Sequence, residues 1–90
     1  MRPITAREAA EIDAILHSEL FDARWYDSRH PDVAMSGLLP EYHFYFYGGL
    51  LGRPASSRFG QESHPKIYRA AKNAQHNPLS FFLEVTSKTD

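Results

Sequence analysis

The amino-acid sequence predicts a small all-α domain of about four to six short helices around an aromatic core. The chain has 90 residues, which suffices for one hydrophobic core. Prolines and glycines divide it into short segments, with proline where helices begin and glycine where they end. Apolar residues recur within these segments at helical spacing. We therefore expect a single helical domain over residues 1–90.

The composition of the chain limits the classes of partner and the cellular compartment that we expect. The formal net charge is −1 and the basic residues are spread among acids, so nucleic acid is not an expected partner. The chain has no cysteine, which excludes disulfides and thiolate chemistry. No segment approaches the roughly 20 apolar residues of a bilayer span, and the N-terminal residues do not resemble a secretion signal. We expect a cytoplasmic protein without a membrane span.

The first helix is predicted over residues 6–17. Thr5 and Glu8 have the spacing of a capping box, in which the two side chains satisfy the first free amides of a helix. An apolar stripe follows, formed by Ala9, Ile12, Ile15, Leu16 and Leu20.

Two short helices are predicted next. Asp22 is a typical N-cap for a helix that runs to about Asp27. Pro31 ends that helix, because the residue before a proline is pushed out of the helical region, and it suits the first turn of the following helix. Asp32 in that turn interacts favourably with the helix dipole, and Gly37 ends the segment.

The aromatic run over residues 41–47 brings two rules into conflict. Phe and Tyr favour strands, but the run begins after Pro40 and stops at Gly48 and Gly49, which is the frame of a helix. We predict a helix. Its buried side is predicted to contain Tyr42, Phe46 and Gly49, and its exposed side Tyr45 and Tyr47.

The last third of the chain is predicted to contain two helices. Ser63 is the expected N-cap of a helix over residues 65–74, and Asn77-Pro78 opens the final helix. The tail from Ser87 onward is expected to fray. The buried stripe of the first of these helices is predicted to consist of Ile67, Ala70, Ala71 and Ala74, with Tyr68 at its margin.

An internal sequence similarity divides the chain after the first helix into two units, over residues 21–59 and 60–86. His30-Pro31-Asp32-Val33 is matched by His64-Pro65-Lys66-Ile67, and each unit continues into a proline-opened aromatic helix. The interval is near the roughly 34 residues of some helical repeats. Two interpretations stay open, a degenerate tandem repeat and a chance placement of prolines.

The first unit also carries a family resemblance. Its residues are Phe21-Asp22, Trp25-Tyr26, Pro31-Asp32-Val33, Gly37, Pro40, His43-Phe44, Gly48 and Gly52-Arg53-Pro54. This pattern resembles a repeat module found in bacterial proteins of surface-polysaccharide synthesis, often attached to glycosyltransferase domains. Leu51 stands where that family usually has Glu, and Phe44 where it usually has Tyr. The second unit has no counterpart of the aromatic pair Trp25-Tyr26 or of the turn Gly52-Arg53-Pro54.

The resemblance implies a polysaccharide context and no reaction, since the transferase chemistry resides in other domains. We therefore expect a non-catalytic binding or scaffolding module of bacterial cell-surface polysaccharide biosynthesis, contacting a glycan or a partner glycosyltransferase. The alternative is a free-standing regulatory or inhibitory protein-binding domain with no glycan role. A third class, a small hydrolase or transferase, would need an open pocket at His43. The oligomeric state stays open.

Three residues are candidate ligand-binding groups. The rings of Tyr45 and Tyr47 would stack on a sugar, and the guanidinium of Arg53 suits a phosphate or an acidic glycan. An ion pair of Arg53 with Asp32 is favoured over that ligand role. The residues expected to organise the fold are Trp25, Tyr26, Pro31, Asp32, Pro40 and His43.

Neither a catalytic nor a metal-binding motif is visible in the sequence. It has no cysteine nucleophile, no nucleophile-elbow pattern and no obvious carboxylate pair. Its histidines do not pair at the three- or four-residue spacing of a metal site on one helix. They are His17, His30, His43, His64 and His76. We expect no enzyme activity, no metal and no cofactor.

Overall fold

The computed structural model describes residues 3–87 and confirms the all-α fold class. The α-helices are α1 (Ala6–Leu16), α2 (Ala23–Arg29), α3 (Pro31–Ser36), α4 (Pro40–His43), α5 (Pro65–Asn73) and α6 (Pro78–Ser87). A π-helical turn, Phe44–Gly48, continues α4. Most of the tail that was expected to fray, residues 88–90, lies outside the described part of the chain. Within residues 3–87, no helix has the length and apolar character that crossing a bilayer requires.

The helix starts follow the predicted signals. Thr5 and Glu8 form the capping box, since the Thr5 hydroxyl accepts from the Glu8 amide at 3.1 Å and the Glu8 carboxylate accepts from the Thr5 amide at 3.0 Å. The Asp22 carboxylate caps α2 by accepting from the Trp25 amide at 3.0 Å. A proline occupies the first turn of α3, α4 and α5, where its missing N–H costs no hydrogen bond.

The core is aromatic, as expected. Its largest fully buried side chains are Tyr26, Phe44, Phe59, Ile15, Leu79 and Val33. The Tyr26 and Phe44 rings meet edge to face, with centroids 5.5 Å apart. Fully burying one such ring stabilises the fold by roughly 1.5–3 kcal/mol, so a few rings carry much of the stability of a chain this short.

The aromatic run is helical, but the prediction of its buried side was wrong except at Gly49. His43, Phe44 and Gly48 are buried, whereas Tyr42 and Phe46 are only half-buried. The reason is the π-helical turn, in which the Gly49 amide donates to the Phe44 carbonyl five residues earlier, at 2.9 Å. The wider turn changes which side chains face the core.

The predictions for α5 also need two corrections. His64 is its N-cap, and the Ser63 hydroxyl instead accepts from the Gly60 amide at 3.1 Å. The buried residues of α5 are Tyr68 and Ala71, while Ile67 is half-buried and Ala70 and Ala74 are exposed. The Tyr68 hydroxyl donates to the Arg53 carbonyl at 2.8 Å, and this bond connects α5 to the loop after the π-helical turn.

One side chain joins the π-helical turn to the start of α6. The buried Asn77 amide donates to the Phe44 carbonyl at 3.0 Å. Its oxygen accepts from the amides of Leu79 and Ser80, both at 3.0 Å, and so caps α6. A side chain at Gly49 would collide with this amide, since an added Cβ would lie 2.3 Å from Asn77 Nδ2. Asn77 thereby fixes α6 against the π-helical turn.

Candidate functional site

Four residues of the family-like pattern converge on one polar cluster, formed by Tyr26, Asp32, His43 and Arg53. They come from α2, α3, α4 and the loop after the π-helical turn. Each makes a polar contact with another member of the cluster. The pattern therefore describes groups that contact one another.

Tyr26 and His43 form the buried half of the polar cluster. The Tyr26 hydroxyl lies 2.8 Å from His43 Nδ1, and His43 Nε2 lies 3.7 Å from an Asp32 carboxylate oxygen. A tautomer protonated at Nε2 suits both contacts, since Nδ1 then accepts the Tyr26 proton and the N–H faces the carboxylate. Gly48 makes room for this arrangement, because a Cβ there would lie 1.8 Å from the Tyr26 hydroxyl oxygen.

Asp32 and Arg53 form the solvent-facing half, and their predicted pairing is confirmed. The guanidinium donates to both carboxylate oxygens of Asp32, at 3.1 and 3.0 Å. These bonds to Arg53 lower the pKa of Asp32 below its ordinary value. The pair links the start of α3 to the turn that follows the π-helical turn. Its carboxylate is half exposed, so solvent screening limits its contribution to stability.

Burial lowers the pKa of two histidines in this region. Desolvation lowers the pKa of His43, which is 6% exposed, and the Arg53 charge acts in the same direction while Asp32 opposes it. Desolvation likewise lowers the pKa of His30. The His30 ring packs on Tyr26 with centroids 4.8 Å apart, and its Nε2 is buried without a hydrogen-bond partner.

The three candidate ligand groups lie in different surroundings. Tyr45 is half-buried and its hydroxyl donates to the Glu11 carboxylate of α1. Tyr47 is 55% exposed, with its ring 5.7 Å from that of His43. Arg53 uses its guanidinium on Asp32, as described above. The structure thus brings Arg53 into the polar cluster, places the Tyr47 ring beside His43 of that cluster and directs the Tyr45 hydroxyl to α1.

A groove of about 710 Å³ lies between α2 and the loop that leads to α5; we call it the Trp25 groove. Trp25 is half-buried in its wall, and the Arg29 guanidinium lies 4.8 Å from the centre of its ring. The exposed polar side chains of Ser57, Gln61 and Glu62 also line it. The groove combines an aromatic surface, a cation, a carboxylate, a hydroxyl and an amide.

A second groove, of about 620 Å³, lies between the turn at residues 49–52 and α5. The exposed basic side chains of Arg69 and Lys72 line it, and the tyrosine in its wall, Tyr68, is buried. It offers positive charge and little aromatic surface. Of the two grooves, the Trp25 groove has the surface chemistry on which a neutral sugar ring can stack.

Sequence reasoning found the pairing of Asp32 with Arg53 but missed the Trp25 groove and the contact of Tyr26 with Gly48. The two glycines after the aromatic run were the available signal, since a buried glycine marks a close approach of another group. Comparison of the chain with protein-family models, curated proteins and solved structures found no match.

Proposed function

We propose that this chain is a non-catalytic binding module of bacterial cell-surface polysaccharide biosynthesis, which contacts a glycan or a partner glycosyltransferase. The observation that carries the glycan contact is the Trp25 groove, with its aromatic wall and its exposed polar side chains. Sugar rings have apolar faces that pack on indole and hydroxyl edges that exchange hydrogen bonds with carboxylates and amides. The groove supports both interactions in one place.

The polar cluster supports a binding role over a catalytic one. Within the polar cluster, Tyr26 and His43 are the pair that most resembles an acid–base couple, since hydroxyl and ring nitrogen lie 2.8 Å apart. Tyr26 is 0% exposed and His43 6% exposed, so a substrate has little access to either. A general base must come within hydrogen-bond reach of the proton that it abstracts. The couple is better explained as part of the core.

A free-standing protein-binding domain is the second candidate, and a different surface favours it. Large apolar side chains are exposed just before α4, in the π-helical turn and just after it, namely Leu39 (60%), Tyr47 (55%), Leu50 (49%) and Leu51 (72%). Leu39 lies one turn before His43, on which the Tyr47 ring rests. Exposed apolar side chains that lie together are typical of surfaces that bind another protein.

A glycan array followed by titration tests the glycan contact. The purified chain is screened, and any ligand found is titrated into the Ser57→Ala/Glu62→Gln variant. We expect affinity to fall about five- to tenfold, the value of roughly one net hydrogen bond. Glu19→Gln, an exposed carboxylate outside the groove, is the matched control and should bind as the unmodified chain does.

The outcomes separate the candidates. A ligand that binds the unmodified chain and the Ser57→Ala/Glu62→Gln variant equally does not occupy the Trp25 groove and contradicts the assigned site. Failure of every glycan to bind contradicts the glycan contact and leaves a protein partner. In that case Tyr47→Ser/Leu51→Ser should abolish binding to the partner enzyme, while Glu62→Gln should not affect it.

A further inference from the structure

Three side chains from distant parts of the sequence meet where α1 packs against α6. Glu11 lies in α1, His76 just before α6, and Glu84 within α6. Each offers one ligand atom, and these three atoms lie within 4.8 Å of one another. We propose that Glu11, His76 and Glu84 bind a divalent transition-metal ion, with Zn²⁺ as the ion that suits these ligands best.

The strongest observation is the ring nitrogen of His76. Its Nε2 is buried and has no hydrogen-bond partner, although a quarter of the side chain is exposed. It lies 3.9 Å from a carboxylate oxygen of Glu84, too far for a hydrogen bond. A buried polar nitrogen without a partner is unfavourable, and coordination of a cation by its lone pair removes that cost.

The Glu11 carboxylate is held in place from outside the cluster. The Tyr45 hydroxyl donates to one of its oxygens, and Arg7 Nε lies 3.4 Å from the other. Metal-binding carboxylates usually have such outer hydrogen bonds, which orient the group toward the ion. Tyr45 is thus a positioning residue for the proposed site.

The ligand types select the class of metal. One imidazole and two carboxylates suit Zn²⁺, whereas Mg²⁺ takes an octahedral shell of oxygens. Ligand atoms around a tetrahedral zinc lie roughly 3.3 Å apart, given Zn–N and Zn–O distances of about 2.0–2.1 Å. The three side chains would therefore close in slightly on the ion. A fourth position would remain open to water or to a group from a partner.

An ion pair of His76 with the two carboxylates is the rival explanation, and the two explanations make different predictions. A simple ion pair needs no metal, so Zn²⁺ would leave the unfolding temperature unchanged. A metal site that joins α1 to α6 exists in the folded state alone, so Zn²⁺ must raise that temperature. The site does not depend on the Trp25 groove or on the proposed function.

Calorimetric titration of the untagged, chelator-treated chain with Zn²⁺ tests the proposal, together with thermal unfolding. We expect one ion per chain and a higher unfolding temperature. Glu84→Gln and His76→Ala should weaken binding by about 100-fold or more, and Tyr45→Phe by about tenfold, as on loss of an outer-shell partner. Mg²⁺ should have little effect. His17→Ala, an exposed histidine whose ring contacts Asp13 of its own helix, should bind as the unmodified chain does.

Three results would overturn the site. These are no binding of Zn²⁺ by the unmodified chain, equal binding by Glu84→Gln, or binding without any rise in unfolding temperature. If His76→Ala fails to fold, Glu84→Gln decides, since it keeps the size of the side chain. Loss of binding in His17→Ala would place the ion on the surface of α1 and would also contradict the proposal.

Discussion

The two His-Pro corners of the molecule have similar backbones and different surroundings. His30 and His64 are both N-caps with a proline following in the first helical turn, and their φ angles are −131° and −134°. Each ring packs on an aromatic residue of the core, His30 on Tyr26 at 4.8 Å and His64 on Phe59 at 4.5 Å.

The aromatic layer beneath the corners is also alike, but the polar groups are not. Tyr26 contacts Phe44 at 5.5 Å, and Phe59 contacts Phe82 at 5.4 Å. In the first corner the residue after the proline is Asp32, which binds Arg53. In the second it is Lys66, which is exposed. The comparison indicates that ring packing is sufficient to form a His-Pro corner. The polar cluster of the first corner additionally fixes the turn at Arg53.

The largest expected effect comes from filling the space at Gly48 beside the first corner. Gly48→Ala should reduce the free energy of unfolding by about 3 kcal/mol, because the new Cβ collides with the Tyr26 hydroxyl and displaces it from His43. Tyr26→Phe alone should cost about 1–2 kcal/mol. Urea unfolding at pH 7.5 measures both.

The double variant sharpens this test. With the hydroxyl absent, part of the collision is relieved, so Tyr26→Phe/Gly48→Ala should be less destabilised than the sum of the single variants, by about 1 kcal/mol. Additive effects would mean that the two residues do not constrain each other.

The second expected effect is a pH dependence that arises in the first corner. Burial lowers the pKa of His30 and of His43 below the ordinary value of 6.5, so the unfolded chain binds more protons than the folded one. Their contribution to stability is complete above about pH 6.5 and is lost as the pH falls toward the folded pKa values. The free energy of unfolding should therefore decrease between pH 7.5 and pH 5.5.

A histidine substitution tests the origin of that pH dependence. His43→Gln should flatten the pH dependence of unfolding, and His17→Ala, at an exposed position, should leave it unchanged. An unaltered slope in His43→Gln would show that the pH effect arises elsewhere. Complete loss of fold would instead show how much the domain depends on this one ring.

The smallest expected effect compares the two residues after the prolines. Lys66→Ala should change the free energy of unfolding by less than about 0.5 kcal/mol, because Lys66 is exposed. Asp32→Ala should destabilise the chain measurably, though less than Tyr26→Phe does, and the effect should shrink in 1 M NaCl. Equal effects at the two positions would remove the distinction between the corners. Urea midpoints at low and high salt provide the measurement.

Much of the fold could be predicted because the signals that begin and end its helices are local in sequence. A capping box, an N-cap aspartate and first-turn prolines act within one helical turn, and the helix starts that depended on them are confirmed. At α5 only the capping residue was wrong, since it is His64 and not Ser63. The pairing of Asp32 with Arg53 was also predictable, since opposite charges flanked the same aromatic run.

The remaining features depend on contacts that sequence spacing does not contain. The buried side of the aromatic run differs from the prediction because a π-helical turn changes the period. The buried side of α5 includes Tyr68, which packs on Phe59 with centroids 5.7 Å apart and donates to the Arg53 carbonyl, 15 residues away in the sequence. Glu11, His76 and Glu84 have no common spacing, so no motif indicated their meeting.

Asn77 makes the two units dependent on each other during unfolding. Its amide holds the Phe44 carbonyl of the first unit, and its oxygen holds the first amides of α6 in the second. Opening the π-helical turn would leave the buried amide without that acceptor, at a cost of about 1–3 kcal/mol. We therefore expect the two units to unfold in one cooperative transition. A polypeptide that stopped near Gly60 would lose this coupling and would not be a smaller version of the domain.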